Sequence, residues 1–236
     1  IVLKELGEFQ KAITCYKKVI KINPKHENAH YNLGIVLKEL GEFQKAITCY
    51  KKVIKINPKH PDSYNNLGNM MQKLGEFQKA IRAYQKAIKI NPKHENAHYN
   101  LGNALKELGK LRKAINSYQK AINLNPNYTA AQNNLGMVFQ ELGEKRKAIN
   151  CYVKAIENNP NYANAYWNLH SFAPNIDEAL NILKKLYDVD NKFLKAKIMI
   201  SALNYLKGNF NDFNTLITSP ESNHPLVRSI KWVFSL

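Results

Sequence analysis

The chain has 236 residues, of which 44% are apolar and 22% charged, and this composition excludes a low-complexity disordered protein. Its 35 lysines and arginines outnumber its 18 aspartates and glutamates, so the net charge is +17 and polyanions are a partner class to consider. Three cysteines are too few for a disulfide framework, and no apolar run reaches the roughly 18–20 residues of a membrane span. We therefore expect a cytoplasmic protein with no membrane span.

A pattern repeats every 34 residues along most of the chain. One glycine series, always preceded by leucine, comprises Gly34, Gly68, Gly102 and Gly136. A second glycine series comprises Gly7, Gly41, Gly75, Gly109 and Gly143, and the prolines of the pattern are Pro24, Pro58, Pro92, Pro126 and Pro160. Such a period indicates a repeat architecture, so each residue has to be interpreted by its position in the unit.

Each unit contains two short apolar patterns of helical spacing. In the first complete unit, Leu33, Leu37 and Leu40 mark the first helix, and a similar series marks the second. Gly41 is placed to close the first helix, since glycine readily adopts the left-handed conformation found there. Pro58 ends the second helix, because the residue before a proline avoids the helical region. A single helix pair buries too little apolar surface, so neighbouring pairs must stack into a solenoid.

In chain order, the sequence predicts a partial repeat over 1–26 and four full repeats over 27–162. Two degenerate repeats follow over 163–219, where His170 stands in place of the glycine that lets paired helices touch. The segment 220–236 is predicted to be a capping helix, because a terminal repeat must cover the exposed end of the stack. We expect the parent protein to continue, since the sequence ends in an apolar stretch without a helix stop.

The unit resembles the tetratricopeptide repeat, with which it shares the period and the order Leu-Gly, Ala-x3-aromatic, Pro. The alanines are Ala12, Ala46, Ala80, Ala114 and Ala148, and the aromatic residues are Tyr16, Tyr50, Tyr84, Tyr118 and Tyr152. The position that usually holds Trp contains His30, Tyr64, His98, Gln132 and Tyr166. The resemblance implies an all-α, right-handed superhelical solenoid of antiparallel helix pairs that acts in protein–protein interaction.

A row of asparagines marks the predicted inner side of the solenoid. In tetratricopeptide-like stacks the first helices line a concave groove, and the position two residues before the glycine is Asn in five units, namely Asn32, Asn66, Asn100, Asn134 and Asn168. Neighbouring groove positions hold Asn69, Asn103, Tyr31, Tyr99 and Trp167. Asparagine offers both hydrogen-bond donors and an acceptor, so such a row can satisfy the backbone of an extended peptide. We predict that these residues form a peptide-binding groove.

This row is similar to the asparagine ladder in the repeat region of the O-linked N-acetylglucosamine transferases, where it holds extended substrate. It departs from the carboxylate-clamp subfamily that grips chaperone C-termini. Those proteins need Lys and Arg inside the groove, and the Asn positions here are never basic. One alternative stays open: the asparagines hydrogen-bond between adjacent repeats and bind no ligand.

Two copies of the sequence His-Glu-x-x-His, at 26–30 and 94–98, have the form of a zinc-binding helix. The copy between them, which begins at His60, lacks the second histidine, and no third ligand is apparent. Repeat duplication explains the motif, with His26 and His94 in exposed links between repeats. We predict no metal site, no cofactor and no catalytic residues in this region.

Basic side chains concentrate on the outward positions of the second helices, where Glu157 is the one acid. They are Lys11, Lys17, Lys18, Lys21, Lys45, Lys51, Lys52, Lys55, Lys79, Arg82, Lys86, Lys89, Arg112, Lys113, Lys120, Arg146, Lys147 and Lys154. This pattern is typical of polyanion binding or of a solvated face that keeps an array soluble. Because no exposed aromatic residues are interleaved, nucleic acid is a disfavoured partner.

The main hypothesis is a protein–protein interaction scaffold that binds an extended peptide or partner segment in the groove. The alternative is a substrate-presenting or targeting module of a larger enzyme, such as a methyltransferase or glycosyltransferase, whose catalytic domain lies outside this chain. The region 163–236 is faintly similar to the segment that joins such repeats to a methyltransferase-like domain in some bacterial proteins. A weaker alternative is polyanion binding by the basic outer face. We also expect self-association through the terminal repeats.

Overall fold

The computed structural model describes residues 2–218, 224–225 and 227–228, and every regular element in these ranges is an α-helix. The chain divides into two compact units, Ile1–Pro126 and Asn127–Leu236. Within the described ranges, no helix combines the length and the apolar character that crossing a membrane requires. The predicted all-α class, built from helix pairs, is confirmed.

The first unit consists of one N-terminal helix and three helix pairs. Its helices are α1 (Val2–Ile22), α2 (Glu27–Glu39), α3 (Phe43–Ile56), α4 (Pro61–Lys73), α5 (Phe77–Ile90), α6 (Glu95–Glu107) and α7 (Leu111–Leu124). The pairs are α2 with α3, α4 with α5 and α6 with α7, and the second helices α3 and α5 also contact the first helix of the next pair. Successive repeats therefore stack side by side within this unit.

The second unit continues the same alternation of first and second helices. Its helices are α8 (Thr129–Glu141), α9 (Lys145–Asn158), α10 (Ala163–His170), α11 (Ile176–Val189), α12 (Leu194–Leu206) and α13 (Asn211–Thr218). Most of the predicted capping helix over 220–236 lies outside the described residues. Val227 is described, and it is buried against Ile198 and Leu216. That contact covers an apolar patch on the last helix pair.

The chain reverses between paired helices at a glycine with a left-handed backbone. The angle φ lies between 66° and 81° at these glycines, which are Gly41, Gly75, Gly109, Gly143 and Gly208. A side chain with a Cβ atom is strained in this conformation. The second glycine series of the repeat is thus explained by the turn that it closes.

Gly7 departs from this series. Helix α1 runs unbroken from Val2–Ile22, and Gly7 has no positive φ, although the period predicts a turn there. The partial repeat over 1–26 is therefore centred on one helix.

The two helices of each full repeat touch where the glycine of Leu-Gly meets the tyrosine of Ala-x3-Tyr. The four tyrosines are 0% exposed. A methyl group added at Gly68 would lie 2.5 Å from the ring of Tyr84, and the other three pairs approach to 2.6–2.7 Å. These pairs are Gly34 with Tyr50, Gly102 with Tyr118 and Gly136 with Tyr152. Only glycine allows this approach, so the pair sets the spacing between the helices.

Replacing Gly68 by Ala is expected to lower the free energy of unfolding by about 1–3 kcal/mol, the usual cost of overpacking a filled core. The shift in the urea midpoint, followed by circular dichroism, measures this loss. Gly7→Ala is the matched control, because Gly7 is also helical but has open space around its Cβ position. It should be neutral or stabilising. Equal destabilisation by both changes would contradict the packing role of Gly68.

Candidate functional site

The tyrosine that packs on the Leu-Gly glycine also presents its hydroxyl to polar side chains of the first helix. The Tyr84 hydroxyl donates to Oδ1 of Asn69 at 2.8 Å and lies 3.0 Å from Oε1 of Gln72. The Tyr118 hydroxyl donates to Oδ1 of Asn103 at 2.7 Å. Burial raises the pKa of Tyr84, so its hydroxyl stays a donor at neutral pH. Two predicted groove residues, Asn69 and Asn103, thus help to hold the helix pairs together.

The hydrogen-bond partner of the equivalent tyrosine hydroxyl differs in the other two full repeats. The Tyr152 hydroxyl donates to Oε1 of Gln140 at 2.8 Å. The Tyr50 hydroxyl is buried and has no partner within hydrogen-bond geometry. In its repeat, Ile35 and Lys38 occupy the positions that Asn69 and Gln72 occupy one repeat later. Of these four hydroxyls, that of Tyr50 therefore has no well-formed hydrogen bond, although the amide of Asn66 is near enough to lower its pKa against the larger raising effect of burial.

In the first unit, two of the asparagines that lie two residues before a Leu-Gly glycine, Asn66 and Asn100, bond to the preceding repeat. Nδ2 of Asn66 donates to the hydroxyl of Tyr31 at 3.2 Å, and Nδ2 of Asn100 donates to Oδ1 of Asn65 at 3.0 Å. Each bond spans 35 residues of sequence. These amides tie adjacent repeats together, as in the alternative that the sequence leaves open. Each amide has further hydrogen-bonding capacity beyond this one bond.

The second unit contains the same bond. Nδ2 of Asn168 donates to Oδ1 of Asn133 at 2.9 Å, and Nδ2 of Asn133 lies 3.3 Å from Oδ1 of Asn134. The half-buried Trp167 packs against His170, with ring centroids 4.6 Å apart. Trp167 therefore contributes to the core around α10 in addition to any role in a groove.

The two tyrosines predicted for the groove in the first unit pack against the rings of buried tyrosines. The ring centroids of Tyr31 and Tyr50 are 6.0 Å apart, as are those of Tyr99 and Tyr118. Tyr31 and Tyr99 are themselves half-buried. Aromatic pairs at this distance contribute beyond their buried area, so the positions of both rings are fixed by packing.

An open cavity of about 770 Å³ lies across the first helices of three consecutive repeats in the first unit. Two predicted groove residues, Asn69 and Asn100, line it, whereas Asn32, Asn66 and Asn103 do not. The other lining residues are Lys38, Glu39, Gly41, Phe43, Met70, Gln72, Lys73, Phe77 and Glu107. We refer to this space as the amide cavity. Part of the predicted groove surface therefore opens into this cavity.

Asn69 and Asn100 offer complementary polar atoms to the amide cavity. Asn69 accepts the Tyr84 hydroxyl with Oδ1, which leaves its Nδ2 as a donor. Asn100 donates to Asn65 with Nδ2, which leaves its Oδ1 as an acceptor. A peptide backbone carries one donor and one acceptor per residue, so these two remaining atoms match the hydrogen-bonding groups of a main chain.

The sequence analysis missed the charged rim of the amide cavity. Lys38, Glu39, Lys73 and Glu107 line it, and Nζ of Lys38 lies 2.7 Å from Oε1 of Glu39. The cavity is therefore more charged than the amide and aromatic surface predicted for the groove. Their position in the repeat could have indicated them. Each lies four or five residues after the Leu-Gly glycine of its own helix, which is one helical turn beyond the position of Asn69 and on the same face.

The first histidine of each His-Glu-x-x-His copy is a helix N-cap. Nδ1 of His26 accepts the backbone N–H of Ala29 at 3.2 Å, and Nδ1 of His94 accepts that of Ala97 at 3.4 Å. His94 also has Nε2 3.2 Å from Oδ1 of Asp62, in the preceding repeat. His94 is only 9% exposed, so the prediction that it lies in an exposed link is wrong. The preceding repeat, through Asp62, packs against His94 itself, whereas residues 91–93 of the link are exposed.

The second histidine of each copy contacts the turn before its helix. Nε2 of His30 lies 3.0 Å from the carbonyl oxygen of Pro24, and Nε2 of His98 lies 3.0 Å from that of Pro92. Among the residues that the structure describes, no cluster of three or more His, Cys, Asp or Glu could hold a metal ion. The rings of His30 and His98 therefore contact the backbone carbonyl of the link that precedes each helix.

Two of the three thiols are buried. Burial raises the pKa of Cys49 and of Cys151 to about 11, so both remain protonated at neutral pH. A protonated thiol is a poor nucleophile. Cys15 occupies the equivalent position in α1 and is exposed. The position that these three cysteines share is therefore a packing position in the full repeats, where a first helix of the same repeat precedes it.

Comparison with known families and structures identifies the repeat. Family models described as TPR repeat match residues 2–41, 36–75, 72–109 and 102–143, and one described as tetratricopeptide repeat matches 129–162. No curated protein matches the sequence significantly. Among solved structures, MamA is 31% identical over a match that covers 69% of this chain and 97% of that chain, with a TM-score of 0.61.

Two more distant structures share the fold. The pilF protein of Pseudomonas aeruginosa is 16% identical, and the match covers 88% of this chain and 97% of that chain with a TM-score of 0.75. YrrB, described as a TPR protein with an unusual peptide-binding site, is 24% identical. The YrrB match covers 77% of this chain and 95% of that chain, with a TM-score of 0.60.

Tyr84→Phe is expected to lower the free energy of unfolding by about 1 kcal/mol, because it removes the hydrogen bond from the buried Tyr84 hydroxyl to the half-buried amide of Asn69. Tyr50→Phe is the matched control, since it removes a hydroxyl that has no hydrogen-bond partner. It should be neutral or slightly stabilising. Chemical denaturation of the two variants measures the difference, and equal losses would contradict a role for the Tyr84 hydroxyl.

His94→Ala is expected to lower the free energy of unfolding by about 1 kcal/mol, the usual effect of removing an N-cap. His94→Asn should recover most of the loss, because Asn is among the best N-cap residues. Thermal unfolding at neutral pH compares the two variants. If Ala and Asn destabilise equally, the stabilising contact of His94 is its approach to Asp62 and not the cap.

Proposed function

The chain belongs to the tetratricopeptide repeat family, and we propose that it is a protein–protein interaction scaffold that holds an extended peptide or partner segment in the amide cavity. The observation that carries the proposal is the cavity itself. Three consecutive repeats line it, and two of the predicted asparagines open into it. Its volume of about 770 Å³ suits several residues of an extended chain.

The polar atoms of the cavity favour recognition of a main chain. Asn69 and Asn100 both line the cavity, and each amide is held in place by a bond, from Tyr84 to Oδ1 of Asn69 or from Nδ2 of Asn100 to Asn65. Amides fixed in this way lose little entropy when they bind a ligand. Such contacts bind a peptide backbone without selecting its side chains.

The rim and floor supply the selectivity that the amides lack. Lys73 and Glu107 place opposite charges on the rim, while Phe43, Met70 and Phe77 add apolar surface. A partner segment that carries both charges and an apolar side chain would match this lining. We therefore expect a mixed sequence as ligand and not a simple acidic tail.

The solved structures support a scaffold of this kind. YrrB has the same fold, and its description includes an unusual peptide-binding site. The likeness is one of fold, so the binding role of this chain is argued from its own cavity. In the second unit, Asn134, Asn168 and Trp167 occupy the equivalent repeat positions, and we include them as a separate stretch of the proposed binding face.

Asn100→Ala tests the amide cavity, with a dodecapeptide selected from a random library on the wild-type protein as the ligand. The change removes one hydrogen bond to the peptide, so affinity should fall by about three- to tenfold. Asn66→Ala is the matched control, because Asn66 ties neighbouring repeats in the same way but does not line the cavity. Fluorescence anisotropy gives the affinities.

Both variants should lose similar stability, since each loses one bond between repeats. The proposal requires that only Asn100→Ala weaken the peptide by more than twofold. Equal weakening would show that these asparagines act on the ligand only through the stability of the stack. If neither change affects the affinity, the peptide binds outside the amide cavity.

A further inference from the structure

A second open cleft in the first unit lies between α5 and the pair α6 and α7. It has a volume of about 470 Å³ and shares no lining residue with the amide cavity. Three cationic side chains, Arg82, Lys110 and Lys113, line it, and no acidic residue does. All three are exposed. We refer to it as the basic cleft.

The residue at the N-terminus of α7 has the opposite charge to the equivalent residue of α3, α5 and α9. Before α3, α5 and α9, the N-cap residue is a glutamate that pairs with a lysine three residues later; the pair Glu76 and Lys79 has an N–O distance of 3.0 Å. The N-cap of α7 is Lys110, and the residue three positions later is Lys113. In the described structure, neither lysine forms an ion pair. Lys113 has thus lost the acidic neighbour that its counterparts keep.

This inversion is unfavourable for folding. A cation at a helix N-terminus opposes the helix dipole, and two lysines three residues apart repel each other. The other three full repeats avoid both effects with a glutamate at this position, and the partial repeat also has a glutamate there, Glu8. A residue that breaks a local rule kept by its duplicates is typical of a functional site. The inversion also coincides with the cleft that Arg82 completes from the neighbouring repeat.

The remaining lining of the basic cleft matches a protein ligand better than a nucleic acid. Gln78, Gln85 and Asn116 provide amides that can bond a peptide backbone, and Ile81 and Leu105 form a buried apolar floor. Arginine and lysine bind carboxylates through charge-assisted hydrogen bonds. No aromatic side chain lines the cleft, so it has no platform on which bases could stack.

We propose that the basic cleft binds an acidic segment of a protein partner, one in which carboxylates flank an aliphatic side chain. The carboxylates meet Arg82, Lys110 and Lys113, and the aliphatic side chain rests on the floor. This site lies apart from the amide cavity, so its existence does not depend on a ligand there.

Lys110→Glu is the decisive variant, because it restores the residue found at this position in three other repeats and should fold as well as the wild type. The probe is a fluorescent peptide with several glutamates around one leucine, titrated at low ionic strength. We expect its affinity to fall at least tenfold, since a cationic contact is lost and a repulsive charge is added. The melting temperature should equal or exceed that of the wild type.

Lys51→Glu is the control for net charge, because Lys51 is exposed on a second helix of the same unit and does not line the cleft. It should weaken the peptide by less than twofold. Equal weakening by Lys51→Glu and Lys110→Glu would overturn the proposal and indicate a diffuse effect of charge. A single-stranded oligothymidylate that binds more tightly than the peptide and is also weakened by Lys110→Glu would overturn it in favour of nucleic acid.

Failure of this proposal is distinguishable from failure of the amide cavity. The selected dodecapeptide should be insensitive to Lys110→Glu, and the glutamate-rich peptide should be insensitive to Asn100→Ala. If the two peptides compete for one site, the basic cleft is not a separate site and the proposal fails.

Discussion

The close approach of a tyrosine ring to a glycine backbone underlies the structure of every full repeat. Because Gly68 has no Cβ, the ring of Tyr84 fills the space that a methyl group would occupy, and the two helices meet at a fixed distance. The ring also delivers its hydroxyl to the polar side of the first helix, where it bonds Asn69. One packing contact thus fixes both the helix pair and the orientation of an amide in the cavity.

Much of the fold could be predicted because the repeat confines the unusual residues to a few positions. Each of these residue types has one structural role: the glycines form turns, the prolines lie in the links and the tyrosines are buried. The position of each in the 34-residue unit indicates that role. The prediction failed at Gly7 and at His94. Gly7 lies inside the continuous helix α1 and not at a turn, and His94 is buried because a neighbouring repeat packs against it.

The candidate site could be predicted only in part. The asparagine row indicates a face of the first helices on which two of its members line a cavity, but a periodic pattern does not show which atom of an amide is already bonded. Asn66 and Asn100 look equivalent in sequence, yet only Asn100 lines the cavity. The useful signals are departures from the repeat. Lys110 differs from its three counterparts in charge, and the meaning of that difference became visible only beside the cleft that Arg82 completes.

The bonds between neighbouring repeats have a consequence for how such an array grows. In both units, a repeat donates an amide N–H backward and offers an oxygen forward, from either a tyrosine hydroxyl or an asparagine amide. The repeat that contains Asn65 and Asn66 therefore carries both halves of this interface. A gene duplication that copies this repeat would give a unit compatible with both neighbours from the start. Length can change in a single genetic event, while the sequence of each copy is free to diverge afterwards.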